Sequence, residues 1–188
     1  HVAMVDLSIG KKAFAEYKIQ RAPAPEGLHV QIELLKTVLA SLGIVQTELK
    51  GYEADDLLGT LSARAEAKGW KTSLVTSDKD AGQLLSGKTS LFDPRKNVRI
   101  GPAELLAEKG LTPAQVPDFL ALTGDSSDNI PGVEGVGPKT AVKLLTSAGS
   151  LEALLADPVA HATAKVAEAL ASGAGQARAS LALATIAR

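Results

Sequence analysis

Apolar and polar positions follow two regimes along this chain. Through the first two-thirds, short apolar runs of strand length alternate with stretches whose apolar residues recur every three or four positions. His1 to Val5 is short, apolar and ends at Asp6, and reads as a buried strand. Residues 7–27 are irregular and carry Lys11, Lys12, Lys18 and Arg21 before Pro23 and Pro25, which predicts a basic loop or short helix. A helix is expected from Leu28 to Leu42, closed by Gly43, and a short strand over Ile44 to Leu49. Glu53 to Lys68 predicts a helix whose stripe is Leu57, Leu58, Leu61 and Ala65, stopped by Gly69. Lys71 to Thr76 reads as a strand, and Asp78 to Leu85 as the start of another helix. Short strands at Thr89 to Phe92 and Asn97 to Ile100 flank an Asp93-Pro94-Arg95 turn, and Gly101-Pro102 opens a helix with proline at its first position.

From Thr112 onward the pattern is helical, broken at Thr123 to Gly137, Ser147 to Ser150 and Gly173 to Gly175. The expected architecture is therefore α/β: a mixed, mostly parallel sheet flanked by helices over residues 1–111, then a helical region over 112–188.

Composition narrows the function classes. With 188 residues, 45% hydrophobic, the chain is long enough to bury a core. No apolar run approaches the length of a membrane span, and no secretory signal is visible. Cysteine is absent, which removes thiolate metal sites and fits a reducing compartment. His1, His29 and His161 are scattered, so a zinc site of the usual nitrogen and sulfur type is not expected. The formal charge of −1 gives no global nucleic-acid signature, although many metal-binding carboxylates mask a basic face.

The candidate chemistry lies in three acidic clusters placed where the chain turns: Glu53, Asp55 and Asp56; Asp78 and Asp80; Asp125 and Asp128. Asp6 and Asp78 stand at carboxyl ends of predicted strands, where α/β folds place ligands. Glu53 and Asp56, at i and i+3, share a helix face. Two carboxylates 4 Å apart repel by roughly 4 kcal/mol at an effective dielectric of 20, so convergent clusters call for cations. All-oxygen ligands suit Mg²⁺ or Mn²⁺, and two such ions clamp the attacking and leaving oxygens of a phosphodiester. Each cluster also has a plainer role: first-turn acids complement the helix dipole, Asp78 can cap a helix, and Asp125 and Asp128 can form Asx turns.

A glycine-rich run, Asn129 to Thr140, follows the third cluster. Gly132 to Gly137 has the glycine spacing of a nucleotide P-loop, but Pro138 takes the lysine position and no strand precedes it. What remains is a tight hairpin opening a helix at Pro138, with backbone N–H groups and Lys139 suited to a phosphate. With the helix over Gln115 to Leu122 it makes a helix–hairpin–helix across 115–147, able to hold a DNA backbone without reading bases.

In this order, Gly51-Tyr52-Glu53-Ala54-Asp55-Asp56, Thr76-Ser77-Asp78-Lys79-Asp80 and the run from Leu122 to Val133 closely resemble the 5′-nuclease family. The nearest resemblance is to the 5′→3′ exonuclease domains of bacterial DNA polymerase I, related to flap endonucleases. Gly135-Val136-Gly137-Pro138-Lys139-Thr140-Ala141 extends it. The resemblance implies a PIN-like fold and two-metal hydrolysis of DNA at a 5′ end or flap in replication and repair. It implies Glu53, Asp55, Asp56 and Asp78 at the first metal, and Asp80, Asp125 and Asp128 at the second, with Asp6 a further ligand. It assigns Gly132, Gly135, Gly137, Lys139 and Thr140 to duplex binding, with a K⁺ ion on hairpin carbonyls. Tyr17, Lys18 and Arg21 resemble the basic end of the family's helical arch, where the two cations assist catalysis.

Three departures stand out. The family's opening strand with an Asp-Gly pair has no counterpart, Val5-Asp6 replaces Val-Phe-Asp, and Ala15 follows Phe14 in a shortened arch where arginine is usual. The expected partner is DNA with a 5′ end or flap, acted on by a monomer in the bacterial cytoplasm at the nucleoid, and the resemblance implies fusion to a polymerase domain. Two rivals remain: a DNA-binding module of the same fold with impaired catalysis, and a haloacid-dehalogenase-type phosphatase. The latter wants a threonine soon after Asp78-Lys79-Asp80, where Ala81-Gly82 stand.

Overall fold

The computed structural model describes residues 2–3 and 25–188. Asp6, Tyr17, Lys18 and Arg21 lie outside the described residues, as does nearly all of the predicted arch segment. The elements are β1 (Val2–Ala3), α1 (Leu28–Ser41), β2 (Gln46–Thr47), α2 (Ala54–Ala67), β3 (Thr72–Val75), β4 (Thr89–Asp93), β5 (Val98–Ile100) and α3 (Pro102–Lys109). Then come α4 (Val116–Thr123), α5 (Pro138–Ala148), α6 (Leu151–Ala156), α7 (Pro158–His161), α8 (Ala164–Ser172) and α9 (Ala174–Ala184). The predicted helix from Asp78 is instead a 3₁₀ segment, Asp80–Leu84. Asp78 Oδ1 accepts the Asp80 N–H at 3.0 Å, an Asx-type turn that favours the tighter coil.

β3 and β4 run parallel, and β4 and β5 form an antiparallel hairpin, so the sheet is mixed as expected. β1 and β2 pair in parallel as a separate sheet. Along β4 the burial alternates, with Thr89, Leu91 and Asp93 inward, the period-two signature of a strand covered on one face. The predicted stripe of α2 is only partly covered: Leu57 is buried, but Leu58, Leu61 and Ala65 line a cavity of about 880 Å³ bounded on the other side by β3, Thr72 to Thr76. Among the described residues, the edge of β3 away from β4 thus faces the apolar side of α2 across this cavity.

Two core clusters organise the rest. One joins the sheet to α3 and α4 through Leu74, Leu84, Leu91, Leu105, Val116 and Leu120. The other, with Leu122, Leu144, Leu145, Leu151, Leu154 and Leu170, binds the helical region together. Phe119 packs against both, so α4 is the splice between them. Asp118, buried on that helix, accepts the Leu151 N–H at 3.1 Å and ties α4 to the start of α6. An exposed bidentate pair, Arg178 with Glu152, links α9 to α6.

Candidate functional site

The second and third acidic clusters come together; the first opens helix α2. Asp78, Lys79 and Asp80 follow the carboxyl end of β3, where the chain must turn sharply into the 3₁₀ segment. Asp93 anchors that turn. It is buried at the end of β4, and its Oδ1 accepts the Ser77 hydroxyl and the Arg95 N–H, each at 2.9 Å. Arg95 in turn reaches the Ser77 carbonyl at 3.5 Å.

Asp125 lies in the loop after α4 and is 3% exposed. Its backbone exchanges two 2.8 Å hydrogen bonds with Ile130, closing the loop on itself. Its Oδ1 accepts the Ser127 N–H at 2.9 Å, and its Oδ2 meets Lys79 Nζ at 3.0 Å. Lys79 therefore bridges the two acidic loops. Burial works to raise the Asp125 pKa, but the bonds from Ser127 and Lys79 outweigh it and hold the carboxyl below its ordinary range. Burial likewise works to lower the Lys79 pKa, and its contact with Asp125 together with the charges of Asp80 and Asp78 raises it.

Asp80 is the strained member. Its Oδ1 is buried with no hydrogen-bond partner. Burial first, then the charges of Asp78, Asp125 and Asp128, push its carboxyl up to about 7. An orphaned carboxylate oxygen facing like charges is what a site built around a hard cation leaves when the cation is left out, and this donor set fits one. Yet among the described residues no three carboxylates or imidazoles converge closely enough to hold an ion by themselves.

The first cluster is placed differently. Both oxygens of Asp56 are engaged by backbone: Oδ2 accepts the Glu53 N–H at 3.0 Å, and Oδ1 the Ala187 N–H at 2.8 Å. Glu53 is the N-cap residue of α2. Asp55 lines the cavity beside β3 and shares it with Thr76, at the start of the Asp78 turn. Asp56 here is a cap and a tether for the C-terminal residues, a role the helix-dipole reading only partly anticipated.

The glycine hairpin divides in the same way. A Cβ on Gly132 would lie 2.5 Å from the Thr123 carbonyl carbon, so this glycine allows two backbones to cross beneath the Asp125 loop. That is a packing role that the sequence reading did not assign to it. Gly135 and Gly137 border open space, and α5 begins at Pro138 with no side-chain cap over its first turn, where Lys139 and Thr140 sit. Uncapped N–H groups there suit an anion. Ser180, from α9, donates to the Pro131 carbonyl at 2.7 Å and holds the hairpin down. Lys79, Asp93 and Arg95 were missed as site residues. The only local sign was their position beside predicted turns, and their partners lie in other loops.

Residues 2–110 match the family described as 5′–3′ exonuclease, N-terminal resolvase-like domain, and residues 111–188 match the 5′–3′ exonuclease, C-terminal SAM fold. The chain is 45% identical over 163 residues to DNA polymerase I of Mycobacterium leprae, covering 85% of this chain but 18% of that protein. It is 47% identical over 148 residues to the thermostable DNA polymerase I of Thermus aquaticus, 79% of this chain and 18% of the relative. With the 5′–3′ exonuclease of Aquifex aeolicus it shares 42% identity over 145 residues, 77% of this chain and 50% of that one. Among solved structures, T5 5′-exonuclease with bound zinc superposes with a TM-score of 0.82 at 22% identity, over 97% of this chain and 71% of that one. The catalytic core of Rad2 in complex with DNA substrate gives 0.55 at 14% identity, over 93% and 56%.

Proposed function

This chain belongs to the 5′–3′ exonuclease family, and from that premise we propose that it forms the nuclease part of a protein that hydrolyses DNA phosphodiesters at 5′ ends and 5′ flaps. The observation that carries the proposal is the junction of the Asp78–Asp80 and Asp125–Asp128 loops, bridged by Lys79 and holding a buried, unpartnered Asp80 oxygen. Asp78, Asp80, Asp125 and Asp128 would hold the divalent cation, with Glu53, Asp55, Asp56 and Asp6 completing a second position; each Asp56 oxygen keeps a lone pair beyond its one backbone contact. Bound Mg²⁺ or Mn²⁺ would supply Lewis acidity and a deprotonated water. Lys79 restrains the charge of the cluster and fixes the distance between its loops. The first turn of α5, with Lys139 and Thr140, would take a DNA phosphate, and carbonyls of the adjoining hairpin a K⁺ ion. Tyr17, Lys18 and Arg21 are assigned to the strand that enters the site. A DNA substrate fits a protein of the cytoplasm, and the polymerase relatives support fusion to a polymerase domain. The chain would act as one copy.

The test is cleavage of a 5′-flap duplex by the full polypeptide in Mg²⁺ and Mn²⁺. Asp78→Ala and Asp80→Ala are expected to lower kcat by about a hundredfold or more while the DNA Kd changes little. Undiminished cleavage by both variants would sink the site assignment. One observation favours a second reading, a DNA-binding module with impaired catalysis: among the described residues the carboxylates that meet are not close enough in threes to hold a metal ion. Duplex binding without cleavage by the full polypeptide in Mn²⁺ would establish it.

A further inference from the structure

A cavity of about 700 Å³ opens between β5 and α3 on one side and α5 on the other. Its walls draw on both core clusters: Leu105 and Val116 from one, Leu111 from the other, with Phe119 packed against both. One end reaches the acidic site, where Thr76, Ser77, Asp78 and Asp93 line it, and Glu108 lies along α3; the end at α5 is basic. Lys96, Lys139 and Lys143 are exposed, and none of the three has an ion pair among the described residues. Lys79 and Lys109, which also line the cavity, are already matched, to Asp125 and to Glu108. Lys139 and Lys143 are four positions apart on α5 and so share one face of it.

The volume is that of a small-molecule site, and such sites combine apolar walls with a few polar groups that fix orientation. Water held against the Leu105, Leu111, Val116 and Phe119 walls lacks hydrogen-bond partners there. An inorganic anion would satisfy the lysines and leave the walls wet, and a neutral apolar molecule would do the reverse. We propose that this cavity binds an amphiphilic organic anion: an aromatic or branched apolar body among Leu105, Leu111, Val116 and Phe119, and one anionic head on Lys139 and Lys143. Lys139 also belongs to the helix start assigned above to a DNA phosphate. An anion seated here therefore competes with duplex DNA. That consequence rests on the nuclease reading; the binding itself does not.

The probe is 8-anilinonaphthalene-1-sulfonate, titrated into protein carrying ¹³C-labelled Leu, Val and Ile methyl groups. Saturable shifts are expected at Leu105, Leu111, Val116 and Val142. Lys139→Ala and Lys143→Ala should each weaken binding about fivefold. Val142→Phe, which narrows the cavity from α5, should abolish the shifts, and Ile100→Phe on the β5 wall serves if that variant does not fold. Naphthalene and inorganic phosphate, each matching half of the site, should bind about tenfold or more weakly. Shifts centred on the exposed Val30 and Val38 of α1, indifference to both lysines, or equal binding of naphthalene would overturn the assignment. Displacement by duplex DNA supports the competition. Probe binding that DNA does not disturb refutes the DNA role of Lys139 and leaves the cavity site standing.

Discussion

At alkaline pH an ionised Asp80 faces Asp78, Asp125 and Asp128, with Lys79 opposing them. Its folded-state pKa of about 7 lies above the ordinary 3.8, so between those values the folded protein holds a proton that the unfolded chain has released. The metal-free protein therefore loses stability as pH rises through that window, and the deficit is complete above it. A divalent ion competes with that proton, so its stabilising effect grows as pH rises through about 7. Thermal unfolding in chelator should show a Tm decline from about pH 5 to about pH 8 that Asp80→Asn flattens. Mg²⁺ added at the higher pH should raise Tm in the wild type more than in the variant. Identical pH profiles for the two proteins would count against the charge conflict. Gly132 makes a second residue-scale case. Gly132→Ala drives a methyl into the Thr123 carbonyl, and an overpacking cost of about 1–3 kcal/mol is expected in urea unfolding. Since the same crossing supports the Asp125 loop, nuclease activity should fall further than stability alone explains.

Among the elements, β3 is the most open. Among the described residues one edge pairs with β4, while the other borders a cavity whose far wall is the apolar stripe of α2. A parallel edge beside partly covered leucines is costly in water, because backbone groups and apolar surface both lack partners. Amide hydrogen exchange tests how open this edge is. Ser73 and Val75, whose backbone faces away from the β4 ladder in a parallel pair, should exchange rapidly, and Thr72, bonded to Lys88, slowly. Strong protection of Ser73 and Val75 would show that the edge is covered.

Over the whole molecule, the C-terminal residues return to the α/β part and lock it. Gln83, buried in the 3₁₀ segment, donates to the Ala184 carbonyl and accepts the Ile186 N–H, each at 2.9 Å. Arg188 reaches the Gln83 carbonyl at 2.7 Å, and the Ala187 N–H closes on Asp56. Gln83→Ala strands buried backbone groups and should cost about 1–3 kcal/mol, with the loss read from denaturant midpoints. A variant ending at Leu183 should reproduce most of that loss, since it removes both Ala184 and Ile186, the same contacts from the other side. If Gln83→Ala leaves the midpoint unchanged, the tail is not a lock.

Much of this protein was legible in its sequence because periodicity and turn chemistry are local. The boundaries of α2, β3 and α5, the 112–188 helical region and the three acidic motifs all follow from residues within a few positions of one another. The grouping of the carboxylates is not local. Lys79 meets Asp125 across 46 positions of sequence, and Gln83 meets Ala184 across 101. Nothing in either neighbourhood distinguishes a bridging lysine from a solvated one, or a buried glutamine from a surface one. Tertiary packing alone decided that Asp80 is orphaned, that Asp56 tethers Ala187, and that Gly132 serves a backbone crossing. The physical reason is that hydrogen bonding and charge coupling depend on distance in space, which chain order constrains only over a turn or two.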